Sequence, residues 1–129
     1  MSVVCDTHAY VWFVTGDRKL SPAARERMIN SDCWLSVVSV WEMSVKAAAG
    51  RTPGMAEIAR RMARDGVGKG FSLMGVEMED ALAAGALPLH HRDPFDRMII
   101  AQAQRRGLPV VSVDAVMDAY GLERIWRSA

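Results

Sequence analysis

The stretch PFDRMIIAQAQRRGLPVVSVD, residues 94–114, decides the fold. Pro94 suits the first position of a helix, which runs to Arg106 and is closed by Gly107, a residue fitted to the left-handed turn after a helix. Pro109 then leads into Val110-Val111-Ser112-Val113, a continuous apolar run of the kind buried on both faces of a parallel sheet. The run stops at a carboxylate, Asp114.

The same alternation extends back to residue 1. Val3-Val4-Cys5 is a short strand that ends at Asp6-Thr7, and a short apolar helix follows over Ala9 to Val14. Ser21 with Pro22 marks the start of a helix that continues to Asn30. Trp34-Leu35-Ser36-Val37-Val38 reads as a second strand, and Ser39-Val40-Trp41-Glu42 matches a capping box that starts a helix ending at Gly50. Pro53 is expected to open another helix to about Asp65, with Met55, Ile58, Ala59 and Met62 on its apolar face. Phe71 to Met74 is a third strand, Glu77 to Gly85 a helix, Leu87 to His91 a loop, and a short helix after Asp114 precedes an edge strand near Arg124-Ile125-Trp126. Strands alternating with helices imply βαβ units and an α/β fold: a three-layer α/β/α sandwich around a mostly parallel sheet of four to five strands. No repeat or linker interrupts the 129 residues, so a single domain over 1–129 is expected.

Composition narrows the class. Half the residues are hydrophobic and 24% are charged, as in a globular chain able to bury a core without disulfides. Cys5 and Cys33 are in no metal-ligand spacing and read as two buried thiols. No signal peptide and no run of about 18 apolar residues is visible, so a soluble, cytoplasmic protein is expected, with no membrane partner. The formal net charge of +1 provides no global basic field, so any nucleic-acid contact must come from a local rim.

In a parallel sheet, ligands bind beyond the carboxyl ends of the strands, at the switch in strand order. Asp6 and Asp114 end strands, Glu42 lies one helical turn past another, and Asp96 occupies the first turn of the helix feeding the last long strand. Each has a plain structural use: Asp6 and Asp114 as helix caps, Glu42 as partner of Ser39, Asp93 as a cap that leaves Asp96 where the helix dipole favours negative charge. Together they are costly. Two such charges 4 Å apart repel by about 4 kcal/mol at an effective dielectric of ~20, whereas a cap contributes ~1 kcal/mol. A divalent cation offsets the repulsion, and hard oxygen donors select Mg2+, with Mn2+ as a substitute.

These acids lie in segments that resemble a known family. Cys5-Asp6-Thr7-His8-Ala9, Ser36-Val37-Val38-Ser39-Val40-Trp41-Glu42, His91-Arg92-Asp93-Pro94-Phe95-Asp96-Arg97 and Val111-Ser112-Val113-Asp114 are similar to the motifs of the PIN-domain family. More narrowly, they resemble VapC-type toxins of toxin–antitoxin pairs. Gly16-Asp17, Leu20-Ser21-Pro22, Lys46 with Gly50, Ile100-Ala101-Gln102-Ala103 and Gly107-Leu108 extend the resemblance over nearly the whole chain. It implies Mg2+-dependent endoribonuclease activity on an RNA substrate, a cognate antitoxin partner and a homodimer. The family's acidic quartet falls on Asp6, Glu42, Asp96 and Asp114, as catalytic residues and metal ligands. Ser112 departs from the Thr often found there and keeps the hydroxyl. Thr7, Ser112 and Asp93 are candidates for orienting the ligands, and Lys46, Arg92 and Arg97 for contacting substrate phosphate.

Several residues have simpler readings beside these. Lys46 is spaced for an i,i+4 ion pair with Glu42. Arg60, Arg61 and Arg64 form a basic stripe that is either a solvated face or an RNA rim. His90 and His91, in a loop near Pro88, read as bystanders rather than a catalytic base. Trp34 and Trp41 are expected in the core, Trp12 and Trp126 on a dimer or antitoxin surface, and Met43, Met55 and Met62 as core filler. Two other functions compete. A phosphotransferase or phosphatase with Asp6 as nucleophile would want a second aspartate two residues on, where His8 stands, and a catalytically silent RNA-binding module would not need an intact acidic set.

Overall fold

A computed structural model describes residues 1–50 and 54–127; Pro53, expected to open a helix, lies outside them. Five strands, β1 (Ser2–Cys5), β2 (Asp32–Ser36), β3 (Phe71–Met74), β4 (Val110–Val111) and β5 (Arg124–Ile125), form one sheet in the order β3-β2-β1-β4-β5. Every pairing is parallel. Among the described residues six α-helices connect them: α1 (Thr7–Thr15), α2 (Pro22–Ile29), α3 (Val37–Ala49), α4 (Met55–Asp65), α5 (Met78–Ala86) and α6 (Pro94–Arg106). A 3-10 helix, Ala115–Tyr120, follows β4.

The three layers follow from strand alternation. Val3, Cys5, Cys33 and Val111 face one way and pack with Ala9, Leu20, Ala24 and Met28 of the α1–α2 side. Their neighbours Val4 and Val110 face the other way, onto Ile99, Ile100 and Ala103 of α6. A third cluster joins Leu35 and Tyr10 to Met43, Met55 and Ile58 beneath α3 and α4. Cys5 and Cys33 are buried free thiols. Among the described residues, no helix is long and apolar enough to cross a membrane.

Helix punctuation works as the residues suggest at α2, at α6 and at the end of α3, which Gly50 closes. Ser21 accepts the Ala24 N–H at the head of α2, and its hydroxyl also donates to the Trp126 carbonyl. Asp93 caps α6, with Pro94 at its start and Gly107, at φ 64°, ending it. It fails at the second strand. β2 stops at Ser36 and not Val38, because the Ser36 side chain accepts the Val38 N–H and starts α3 three residues early. Ser39 is therefore inside the helix and the expected capping box does not form. β4 is also shorter than the apolar run, since Ser112 accepts the Asp114 N–H in a local turn that ends the strand.

The tryptophans are distributed differently from expectation. Trp41 is 62% exposed, on the outer face of α3, edge-on to Phe95 with ring centroids 5.0 Å apart. Trp126 is buried and packs on the partly buried Trp12 at 6.0 Å, and the pair covers the α1–α2 core.

The topology fixes where chemistry can sit. The chain moves from β1 outward to β2 and β3, then returns through α5 and α6 to place β4 on the other side of β1. The switch point lies between β1 and β4, and Asp6 and Ser112 directly follow those strands.

Candidate functional site

Asp6 leaves β1 and caps α1, its Oδ1 accepting the Ala9 N–H at 2.8 Å. Burial raises its carboxyl above the ordinary range, the Ser112 hydroxyl, the Ala9 N–H and His8 oppose this, and Glu42 raises it further. Ser112 thus faces both acids that follow the two strands, since its Oγ also accepts the Asp114 N–H at 3.0 Å.

Because α3 begins at Val37, Glu42 lies in its second turn and points inward, only 2% exposed. Both of its oxygens have partners. The Thr7 hydroxyl donates to Oε1 at 2.6 Å and Lys46 Nζ to Oε2 at 2.6 Å, while Thr7 also hydrogen-bonds Ser39 at 2.8 Å. The i,i+4 pairing of Lys46 is therefore the arrangement present.

Asp93 accepts the N–H groups of Phe95 (2.8 Å) and Asp96 (3.2 Å), so its carboxylate serves the helix end. Asp96, at the third position of α6, is held up to about 7, first by burial and then by the charges of Asp93, Glu42 and Asp6, with His91 pulling the other way. The Asp96 carboxyl therefore senses two other quartet members. The fourth, Asp114, caps the 3-10 helix through Oδ1, which accepts the Val116 N–H at 3.0 Å. Its Oδ2 lies 2.7 Å from His91 Nε2, and the same nitrogen lies 3.0 Å from Asp96 Oδ2. Ligand atoms of His91, Asp96 and Asp114 all fall within 4.8 Å of one another.

His91 is thus no bystander. Its N–H donates to the Tyr120 hydroxyl (2.8 Å), its Nδ1 accepts the Asp93 N–H (3.2 Å), and Tyr120 donates to the Pro88 carbonyl (2.6 Å). His90 instead packs its ring on Tyr120. Sequence reading missed His91 because the nearer of its two carboxylate partners, Asp114, lies 23 residues downstream; the signal that remained was its place in the block that also holds Asp93 and its second partner, Asp96.

Arg97, expected at substrate phosphate, is engaged inside the fold. Its two terminal nitrogens bond the carbonyls of Pro88, His91, Ala84, Gly85 and Leu87, tying down the segment that carries His91. Arg92 is exposed. In the Arg60, Arg61 and Arg64 stripe, Arg60 pairs with Glu57 and Arg64 with Asp65.

The donor set fits a hard divalent cation. Two half-buried carboxylates from different elements converge on one spot, and two more are near enough to raise Asp96, so negative charge accumulates where burial screens it only in part.

Comparison with known proteins agrees with this architecture. The sequence profile of the PIN domain matches residues 3–122. Among solved structures, FitAcB from Neisseria gonorrhoeae superposes with a TM-score of 0.67 at 15% identity, over 96% of each chain. VapBC2 from Rickettsia felis, bound to a DNA fragment from its promoter, gives 0.67 at 11% identity over 97% of this chain and 99% of that one. A toxin–antitoxin complex from Klebsiella pneumoniae gives 0.57 at 14% identity, over 87% and 86%. Identities this low establish a shared fold. No protein of curated function matches the sequence.

Proposed function

Because this chain belongs to the PIN-domain family, we propose that it is a Mg2+-dependent endoribonuclease, the toxin of a toxin–antitoxin pair, formed as one domain over 1–129. The observation that carries the reading is the convergence of Asp96 and Asp114 at the sheet's switch point, with Asp6 and Glu42 close enough to raise the Asp96 carboxyl. A bound Mg2+, or Mn2+ in its place, would neutralise this cluster and lower the pKa of a water aimed at the scissile phosphodiester. Asp6, Asp96 and Asp114 are the residues that would hold it.

Within that scheme the chain's own groups have distinct tasks. Glu42, fixed by Thr7 and Lys46, keeps a buried negative charge at the rear of the site. Ser112 orients the Asp6 side and the Asp114 backbone together. Asp93 keeps the head of α6, and so Asp96, in place. Lys46 neutralises Glu42, Arg97 anchors the adjoining loop, and the exposed Arg92 is left as the residue available to a substrate phosphate. Nucleophilic attack by Asp6 is disfavoured by its burial and by its engagement with the Ala9 N–H.

The toxin role, the antitoxin partner, a homodimer and a cytoplasmic location are drawn from the family resemblance, and the first two also from a structural neighbour described as a toxin–antitoxin complex. The test is incubation of the purified protein with single-stranded RNA. Cleavage should require Mg2+ or Mn2+, stop with EDTA and vanish in Asp96→Asn; cutting that persists in EDTA, or in Asp96→Asn at the wild-type rate, refutes the assignment.

A further inference from the structure

We infer that His91 is a positioning residue of the acidic site: an obligate hydrogen-bond donor that clamps Asp96 to Asp114 and is not itself a metal ligand. The inference rests on the metal-site reading above and deepens it.

The ring's other nitrogen fixes where its proton sits. The Asp93 N–H points at His91 Nδ1 at 3.2 Å. A backbone N–H can only donate, so Nδ1 must offer its lone pair, and the ring's proton sits on Nε2. That Nε2–H faces two carboxylate oxygens, Asp114 Oδ2 at 2.7 Å and Asp96 Oδ2 at 3.0 Å. A protonated nitrogen has no lone pair for a cation. For His91 to ligate through Nε2, its proton would have to move to Nδ1, where it would collide with the Asp93 N–H.

The backbone around the ring holds this arrangement. The His91 N–H is held by Tyr120, whose hydroxyl is itself tied to Pro88, and Arg97 grips the His91 carbonyl together with four others of the preceding segment. The same Asp93 that caps α6 through its carboxylate sets the ring's tautomer through its N–H, so Asp96 and its clamp are placed by one helix start. Both carboxylates then face the ring proton through Oδ2; Asp96 keeps its other oxygen for a cation, and Asp114 Oδ1 offers one the lone pair that the Val116 N–H does not take. Groups that orient a ligand in this way typically contribute a factor of about 10–100 to metal affinity.

Two substitutions separate the ring's two functions. Gln at 91 supplies a side-chain N–H at roughly the reach of Nε2, whereas Asn supplies an acceptor at roughly the reach of Nδ1. Mn2+ binding, followed by loss of the free-ion EPR signal, should weaken about 10–100-fold in His91→Ala and in His91→Asn, and largely recover in His91→Gln. Long-range proton–nitrogen NMR of the wild-type protein should show the proton on Nε2 both before and after Mg2+ is added. Wild-type Mn2+ affinity in His91→Ala, rescue by Asn but not Gln, or loss of the Nε2 proton on adding Mg2+ would each overturn the inference. None of these readouts uses RNA. A wild-type protein that binds Mn2+ with the stated tautomer but leaves RNA intact loses the nuclease reading and keeps this one.

Discussion

Asp96→Asn should make the chelated protein more stable at pH 8 while removing its activity. The Asp96 carboxyl is held at about 7 in the folded state, against ~3.9 in an unfolded chain. Between those values the unfolded chain has released its proton and the folded one retains it, so folding stability falls as pH rises from 4 and the loss is complete above 7. Three pH units correspond to about 4 kcal/mol as a ceiling; because the acids share the effect and one side is open to water, about 1–3 kcal/mol is expected. Asn removes the charge and keeps an oxygen for His91. It forfeits only the helix-dipole term at the third position of α6, about 0.5 kcal/mol, so the net sign stays favourable. In EDTA at pH 8, thermal unfolding of Asp96→Asn should occur several degrees above wild type, at about 3–5 °C per kcal/mol for a chain of this size. At pH 5 the gap should shrink, since the wild-type carboxyl is then protonated too. Saturating Mg2+ should reverse the order by stabilising wild type more. A variant that is less stable in EDTA at pH 8, or a gap identical at pH 5 and 8, refutes the reasoning.

Other substitutions test the surroundings. Lys46→Met leaves the Glu42 carboxylate buried with only the Thr7 hydroxyl, and urea unfolding should register a loss of about 1–3 kcal/mol. Arg97→Lys should not rescue Arg97→Ala, because a single ammonium cannot replace a fork that reaches five carbonyls; hydrogen exchange should report faster opening of residues 84–91 in both. Asp80 is fully buried against Arg105 and Arg106, and the Arg106 guanidinium chiefly holds its carboxyl well below the usual carboxylate range. Its contribution is present above pH ~4 and is lost as pH falls towards the depressed value, so Asp80→Asn should cost about 3 kcal/mol at pH 7 and progressively less in acid.

The parts of the fold that depend on local chemistry were legible. Pro94 and Gly107 bound α6 because each acts through its own backbone, and the apolar runs around Val4 and Val110 reach the sheet because a strand buried on both faces needs nothing else. Ser36 and Ser39 show where local reading stops. Both can cap a helix, and the choice fell to Ser36 because β2 pairs with β3 up to the Ser36–Met74 position and no further. The candidate site divides the same way. Asp6 and Asp114 announce themselves by following strands, and Asp96 by following Asp93-Pro94. His91 and Arg97 do not: His91 meets Asp114 only through the tertiary fold and Asp96 only once the loop before α6 has turned back on it, while the partners of Arg97 are backbone carbonyls, which carry no residue-type signal. Trp41 looked like core because it flanks the second strand, yet its place on α3 turns it outward against Phe95.

Everything functional here depends on the carboxylates of Asp96 and Asp114 meeting in order to hold a doubly charged ion. Crystals grown with Mn2+ and recorded at its absorption edge address that directly. An anomalous peak should lie about 2–2.3 Å from an oxygen of each of these two side chains, with the His91 ring beside them and outside bonding reach. Fully occupied Mn2+ elsewhere on the protein, with nothing between Asp96 and Asp114, would contradict the account.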